Sequence, residues 1–155
     1  MFVTIRSRGG IFVKKEKSPV KKNVKQKSEN IRKWYRYQFF GTAKVRIPKE
    51  KKVIDANIAN ISFSGIGLYS TKPIGKGKTV KIKISFVDKH GKVFEEVATG
   101  KVDWQSKFKS MYLTGIFFDN ELSVTNQPRL IEHLTWLIET YKWPQPYKDQ
   151  RISML

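Results

Sequence analysis

With 155 residues, 39% of them hydrophobic and 13% aromatic, the chain has the length and apolar content for one packed domain. It has no cysteine, which excludes disulfide scaffolds, thiolate metal sites and cysteine nucleophiles, and its two histidines, His90 and His133, are too far apart in sequence to suggest a metal site. A net charge of +18, from 31 Lys and Arg against 13 Asp and Glu, implies an anionic partner: a nucleotide, a nucleic acid, an acidic protein or an anionic lipid surface.

Residues 1–13 read as a short hairpin turning through Arg6-Ser7-Arg8-Gly9-Gly10, and residues 14–30 as a lysine-rich linker without hydrophobic period. Residues 1–30 are therefore expected to form a flexible basic arm, with nine basic and two acidic side chains. No apolar run reaches the length of a signal segment or a membrane span, so the sequence predicts a cytoplasmic protein without a transmembrane segment.

From Gln38 onward the pattern changes to strands. Phe39, Gly41, Ala43, Val45 and Ile47 alternate with polar residues, and Pro48 to Lys51 closes the run. The paired strand, residues 53–61, sets Ile54, Ala56 and Ile58 against Asp55, Asn57 and Ala59. Residues 65–69 form another short strand, whose glycines suggest a bulge or a close approach. After a turn at residues 72–77, residues 79–87 alternate cleanly, with Val80, Ile82, Ile84 and Phe86 facing in. Gly91 supplies a hairpin turn to residues 93–104, and residues 109–118 complete the antiparallel set. A helix beginning near Thr125 or Asn126, capped by Ser123, Thr125 or Asn126, carries Leu130, Leu134, Leu137, Ile138 and Tyr141 on one face and is stopped by Pro144. Such a helix has to cover something, most simply one opening of a barrel. The expected architecture is mainly β: a small six-stranded antiparallel barrel with a C-terminal helix. Residues 31–143 would form this domain and residues 144–155 a tail.

Two short stretches carry the chemistry. Arg32 and Arg36 place two guanidinium groups four residues apart, and Asn60, Ser62 and Gly65 offer an amide, a hydroxyl and a glycine at fixed offsets. Arginine forks match the acceptor edge of guanine or a phosphate bidentately, an amide can accept from the opposite edge of guanine, and glycine admits close approach. Nothing comparable supports an enzyme: Ser62 has no recognisable base, and adjacent Glu95 and Glu96 point to opposite faces of a strand. The run Gly75-Lys76-Gly77-Lys78-Thr79 is not a phosphate loop, because a strand follows where that motif needs a helix. Trp34, Tyr69 and Trp104 are candidates for stacking on a base, with core packing expected for at least two of them.

Arg-x-x-x-Arg at 32–36 followed by Asn-x-Ser-x-x-Gly at 60–65 resembles the two-part signature of the PilZ domain, a bacterial family of cyclic di-GMP receptors. The resemblance continues through the Gly75 turn, residues 79–84, Gly100-Lys101-Val102, Gly115-Ile116-Phe117-Phe118 and the final helix, covering roughly residues 31–142. It implies a binding protein whose arginines clamp phosphate and guanine while Asn60 and Ser62 read the base, with no cofactor beyond the cyclic di-GMP ligand; Lys33, by its place between the arginines, and Trp104, as an aromatic face, are secondary candidates from residue chemistry. Many relatives carry aspartate where this chain has Asn60. An amide offers one acceptor oxygen where a carboxylate offers two, so a weaker guanine contact is expected. Binding would order the segment from Arg32 to Arg36 and shift arm against barrel, signalling to a protein partner in motility, attachment or secretion. Two other readings stay open: a nucleic-acid-binding basic barrel, and a ligand-independent adaptor for an acidic protein.

Overall fold

The computed structural model describes residues 34–146, so the predicted hairpin and basic arm, Arg32, Lys33 and most of the predicted tail lie outside the described residues. Seven strands run β1 (Tyr37–Gln38), β2 (Thr42–Ile47), β3 (Lys52–Ile61), β4 (Gly65–Ser70), β5 (Thr79–Val87), β6 (Val93–Phe108) and β7 (Met111–Phe118), followed by helix α1 (Pro128–Tyr141). Their order is β1-β3-β2-β5-β6-β7-β4, and β4 also pairs with β3. That last pairing closes β3, β2, β5, β6, β7 and β4 into the expected six-stranded antiparallel barrel, with β1 as an extra strand on β3.

Alternation explains the interior. Val45, Ile54, Leu68, Val80, Ile82, Ile84, Val102 and Ile116 point inward and form one buried cluster. The expected first long strand is interrupted at residues 39–41, where the chain runs close to β5: a Cβ on Gly41 would stand 2.6 Å from the Ser85 carbonyl, so only glycine fits. The first turn runs against residue preference: Lys51 takes φ 51°, left-handed backbone that lysine does not favour, in closing the short 3-10 turn Pro48–Glu50. Gly91 takes φ 80°, and Asp88 Oδ1 accepts from the amides of His90 and Lys92, each at 2.9 Å.

Two bulges break the alternation and decide which side chains face out. The β3–β4 register shifts between Ile58 and Asn60, and the β6–β7 register shifts between Val102 and Trp104. Ile58 and Val102 point inward, and strict alternation would send Asn60 and Trp104 inward as well. The extra residues, Ala59 and Asp103, turn both to the outer surface. The second bulge also turns Gln105 in, where its Oε1 accepts from the amides of Ile74 (2.8 Å) and Gly75 (3.0 Å).

Helix α1 inserts Leu130 and Leu134 into the barrel cluster, and both are fully buried. It starts at Pro128, later than expected, and none of the predicted side-chain caps serves its N-terminus. Instead Glu96 reaches across from β6, its Oε1 accepting from Leu130 N at 2.6 Å, while Ser123 Oγ accepts from Asn126 N just before the helix. His133 packs its ring against Phe86 (centroids 5.1 Å apart) and Trp136 (5.8 Å), and its Nδ1 has no hydrogen-bond partner among the described residues. Burial pulls its pKa below the usual histidine value, with Asp88 opposing. The unfolded chain therefore takes up the proton first. Stability should be complete above about pH 6.5 and fall as the pH drops from there toward the depressed folded value. Melting curves across about pH 7 to pH 5 should show this loss in the native sequence and a smaller one in His133→Phe, which keeps the stack but cannot be protonated.

Candidate functional site

The turn joining β3 to β4 is organised by Ser62. Its Oγ accepts from the amides of Ser64 (3.2 Å) and Gly65 (3.1 Å), and lies 3.3 Å from Ser64 Oγ and 3.4 Å from the Gly65 carbonyl. The Ser62 amide donates to Gly65 O at 2.9 Å. A hydroxyl has one hydrogen and two lone pairs, so the turn engages all of them, and Ser62 is only 6% exposed. The hydroxyl that the sequence pattern offers to a base thus holds the loop shape in this conformation. A Cβ at Gly65 would stand 2.6 Å from the Ile116 carbonyl, so glycine here permits β4 and β7 to pair.

Strand register builds an outward-facing row beside this turn. Gln38 pairs with Asn60, Asn60 with Gly67, Gly67 with Gly115, and Gly115 with Trp104. Four interstrand spacings make the row about 19 Å long. Its middle has no side chains: a Cβ at Gly67 would stand 2.9 Å from Asn60 Oδ1, and one at Gly115 would strike the Trp104 indole nitrogen. The Asn60 amide and the Trp104 indole therefore lie over a floor of two glycines, a flat shelf with a hydrogen-bonding end and an aromatic end. Such a surface suits a planar heterocycle, with the amide meeting its edge and the indole its face.

The arginine stretch reaches the same shelf. Although 24 positions precede Asn60 from Arg36, the pairs Tyr37 with Ile61 and Gln38 with Asn60 bring Arg36 level with Ser62. Arg36 is exposed, whereas its neighbours are anchored on both sides. Trp34 is 8% exposed, stacks on Phe63 of the turn with ring centroids 5.2 Å apart, and donates from Nε1 to Glu121 Oε2 at 2.7 Å. Tyr37 is buried, stacks on Trp143 at 5.6 Å, and donates its hydroxyl to the Pro144 carbonyl at 2.7 Å; burial pushes its pKa up to about 12. Tyr35 N donates to Pro146 O at 2.7 Å. The segment expected to be mobile is thus seated from Trp34 onward, between the barrel and residues 143–146.

Of the three aromatics considered for stacking, only Trp34 is a core residue. Tyr69 is 43% exposed, and Trp104 faces out through its bulge, so the expectation of two core residues among them is not met. Gly115 as part of a shelf floor, and Phe63 as the anchor of the arginine stretch, are missed from sequence, because neither shows its role without cross-strand register. Among the described residues, no group of three or more His, Cys, Asp or Glu could hold a metal ion, and no helix is long and apolar enough to cross a membrane.

No curated protein matches the sequence significantly. Solved structures share the fold at low identity. The Bacillus subtilis inhibitor of motility MotI/DgrA aligns with TM-score 0.55 and 12% identity, over 70% of this chain and 52% of its own. The PilZ domain of Escherichia coli YcgR, solved with c-di-GMP, gives 0.51 and 14% over 72% of this chain and 97% of its own. Apo MrkH of K. pneumonia gives 0.54 and 18% over 70% and 51%. This chain thus spans about half the length of MotI/DgrA and MrkH. The family model of the PilZ domain matches residues 30–136, which take in all seven strands and the first turns of α1, and the chain belongs to the PilZ domain family.

Proposed function

We propose that this chain is a cyclic di-GMP receptor that binds its ligand without chemical conversion and signals to a protein partner in the cytoplasm. The observation that carries this reading is the outward row Gln38, Asn60, Gly67, Gly115 and Trp104 with Arg36 at its edge. In the proposed complex Arg32 and Arg36 clamp phosphate and guanine, Asn60 reads the base edge, and Trp104 supplies a stacking face. Gly65 lets β4 and β7 pair beneath the site, Ser62 keeps the turn shaped to receive the ligand, and Lys33 adds charge. The basic arm, residues 1–30, changes its disposition on binding and provides the output.

Isothermal titration of cyclic di-GMP into the full chain at moderate salt tests the reading, with GTP and a short single-stranded oligonucleotide as controls. Saturable binding of the cyclic dinucleotide alone, with stoichiometry separating one molecule from a stacked pair, is the expected result. Silence toward it, with salt-sensitive oligonucleotide binding, would shift the function to a nucleic-acid-binding basic surface.

A further inference from the structure

The opposite wall of the barrel carries a feature the nucleotide shelf does not use. In the closed order β3-β2-β5-β6-β7-β4, the shelf centres on the β4/β7 seam and the diametrically opposed seam is β2/β5. On that seam Lys44 stands directly opposite Lys83, and Arg46 directly opposite Lys81, all four facing out. Like charges opposite each other on one sheet face destabilise it, so folding alone does not account for the arrangement. Lys44 has Asp55 at 2.8 Å and Lys83 has Glu95 at 4.0 Å, whereas Arg46 and Lys81 have no ion pair among the described residues. The four cations and Val53 and Val97 line a shallow groove of about 200 Å³. Both valines are open to solvent, at 50% and 40%.

We infer that the β2/β5 face docks an acidic segment of a partner protein. An extended segment repeats its side chains about every 6.6 to 6.8 Å on one face, the spacing from Lys44 to Arg46 and from Lys83 to Lys81 along their strands, so carboxylates at alternate residues meet both rows of cations. The half-exposed valines offer apolar contact of the kind found at the centre of protein interfaces. A phosphate polymer fits less well. The groove is lined by no aromatic ring for bases to stack on, and its valines offer apolar contact that a phosphate backbone cannot use. The face lies across the barrel from the shelf, so a nucleotide and a protein can be held together, and this inference does not depend on which ligand the shelf takes.

The test uses the full chain and an octapeptide alternating Glu and Thr, with its Gln/Thr counterpart, an eight-residue oligothymidylate and phosphatidylserine vesicles as comparison probes. Arg46→Gln/Lys81→Gln is set against Lys89→Gln/Lys92→Gln, which removes the same charge at the β5–β6 hairpin. The expected result is saturable binding of the Glu peptide near physiological salt, weakened about tenfold by the first pair and less than about twofold by the second. Amide resonance shifts should fall on β2 and β5, and the first variant should melt no lower than the native chain, since it relieves repulsion. Equal losses in both variants, shifts confined elsewhere, or a lower melting temperature for Arg46→Gln/Lys81→Gln would overturn the inference. So would oligothymidylate or vesicles binding more tightly than the peptide in a manner dependent on Arg46 and Lys81.

Discussion

Trp34→Ala should lower the melting temperature by on the order of 10 to 20 °C, the consequence of losing about 3 to 5 kcal/mol when a buried indole is truncated. The size follows from what Trp34 does: it is 8% exposed, lies flat on Phe63, and ties the residues that lead into β1 to the β3–β4 turn. The deletion leaves a cavity under the β3–β4 turn and cuts the tie between the arginine stretch and the Asn60 to Gly65 turn. Trp34→Phe separates the two contributions. It keeps ring on ring but loses the donor to the Glu121 carboxylate and some buried volume, so it should cost about 1.5 to 3 kcal/mol, less than the full truncation. Thermal unfolding followed by circular dichroism measures both. A Trp34→Ala chain melting within a few degrees of the native one would mean that residues 34–38 dock without this anchor.

Strand content and the barrel were legible because residues such as Val80, Ile82, Ile84 and Phe86 alternate without a break, and a period of two is a local signal. The helix was legible from its apolar repeat, but not its start. Its cap, Glu96, lies 34 positions away on β6, and no local motif announces a cap supplied by another element. The site was half legible. The motif residues could be named, and the glycines of β4 marked a close approach, but the shelf itself exists only through register. Asn60 meets Gly67, and Trp104 meets Gly115, because bulges at Ala59 and Asp103 shift two strands by one residue. A one-residue shift reverses which face a side chain takes, and nothing in composition reveals it. Ser62 shows a different limit: its place in the motif is legible in sequence, but its hydrogen bonds to the amides of Ser64 and Gly65, which hold the turn, appear only in the structure.

Arg36→Ala should weaken cyclic di-GMP binding roughly tenfold to more than a hundredfold, since removing one charge-assisted bidentate contact typically costs about 1.5 to 3 kcal/mol. Stability should barely change, because Arg36 is exposed while Trp34 and Tyr37 on either side keep the backbone seated. That separation matters: Trp34→Ala loses affinity by releasing the segment and melts early, whereas Arg36→Ala loses affinity with the fold intact. Arg36→Lys should recover part of the loss, since an ammonium restores the charge but not the planar fork. Recovery to full affinity would reduce Arg36 to a point charge near the phosphates, and undiminished binding by Arg36→Ala would remove it from the site. Titration calorimetry at two salt concentrations distinguishes these outcomes, because a contact made only through charge weakens with screening more than one made through directed hydrogen bonds to a base edge.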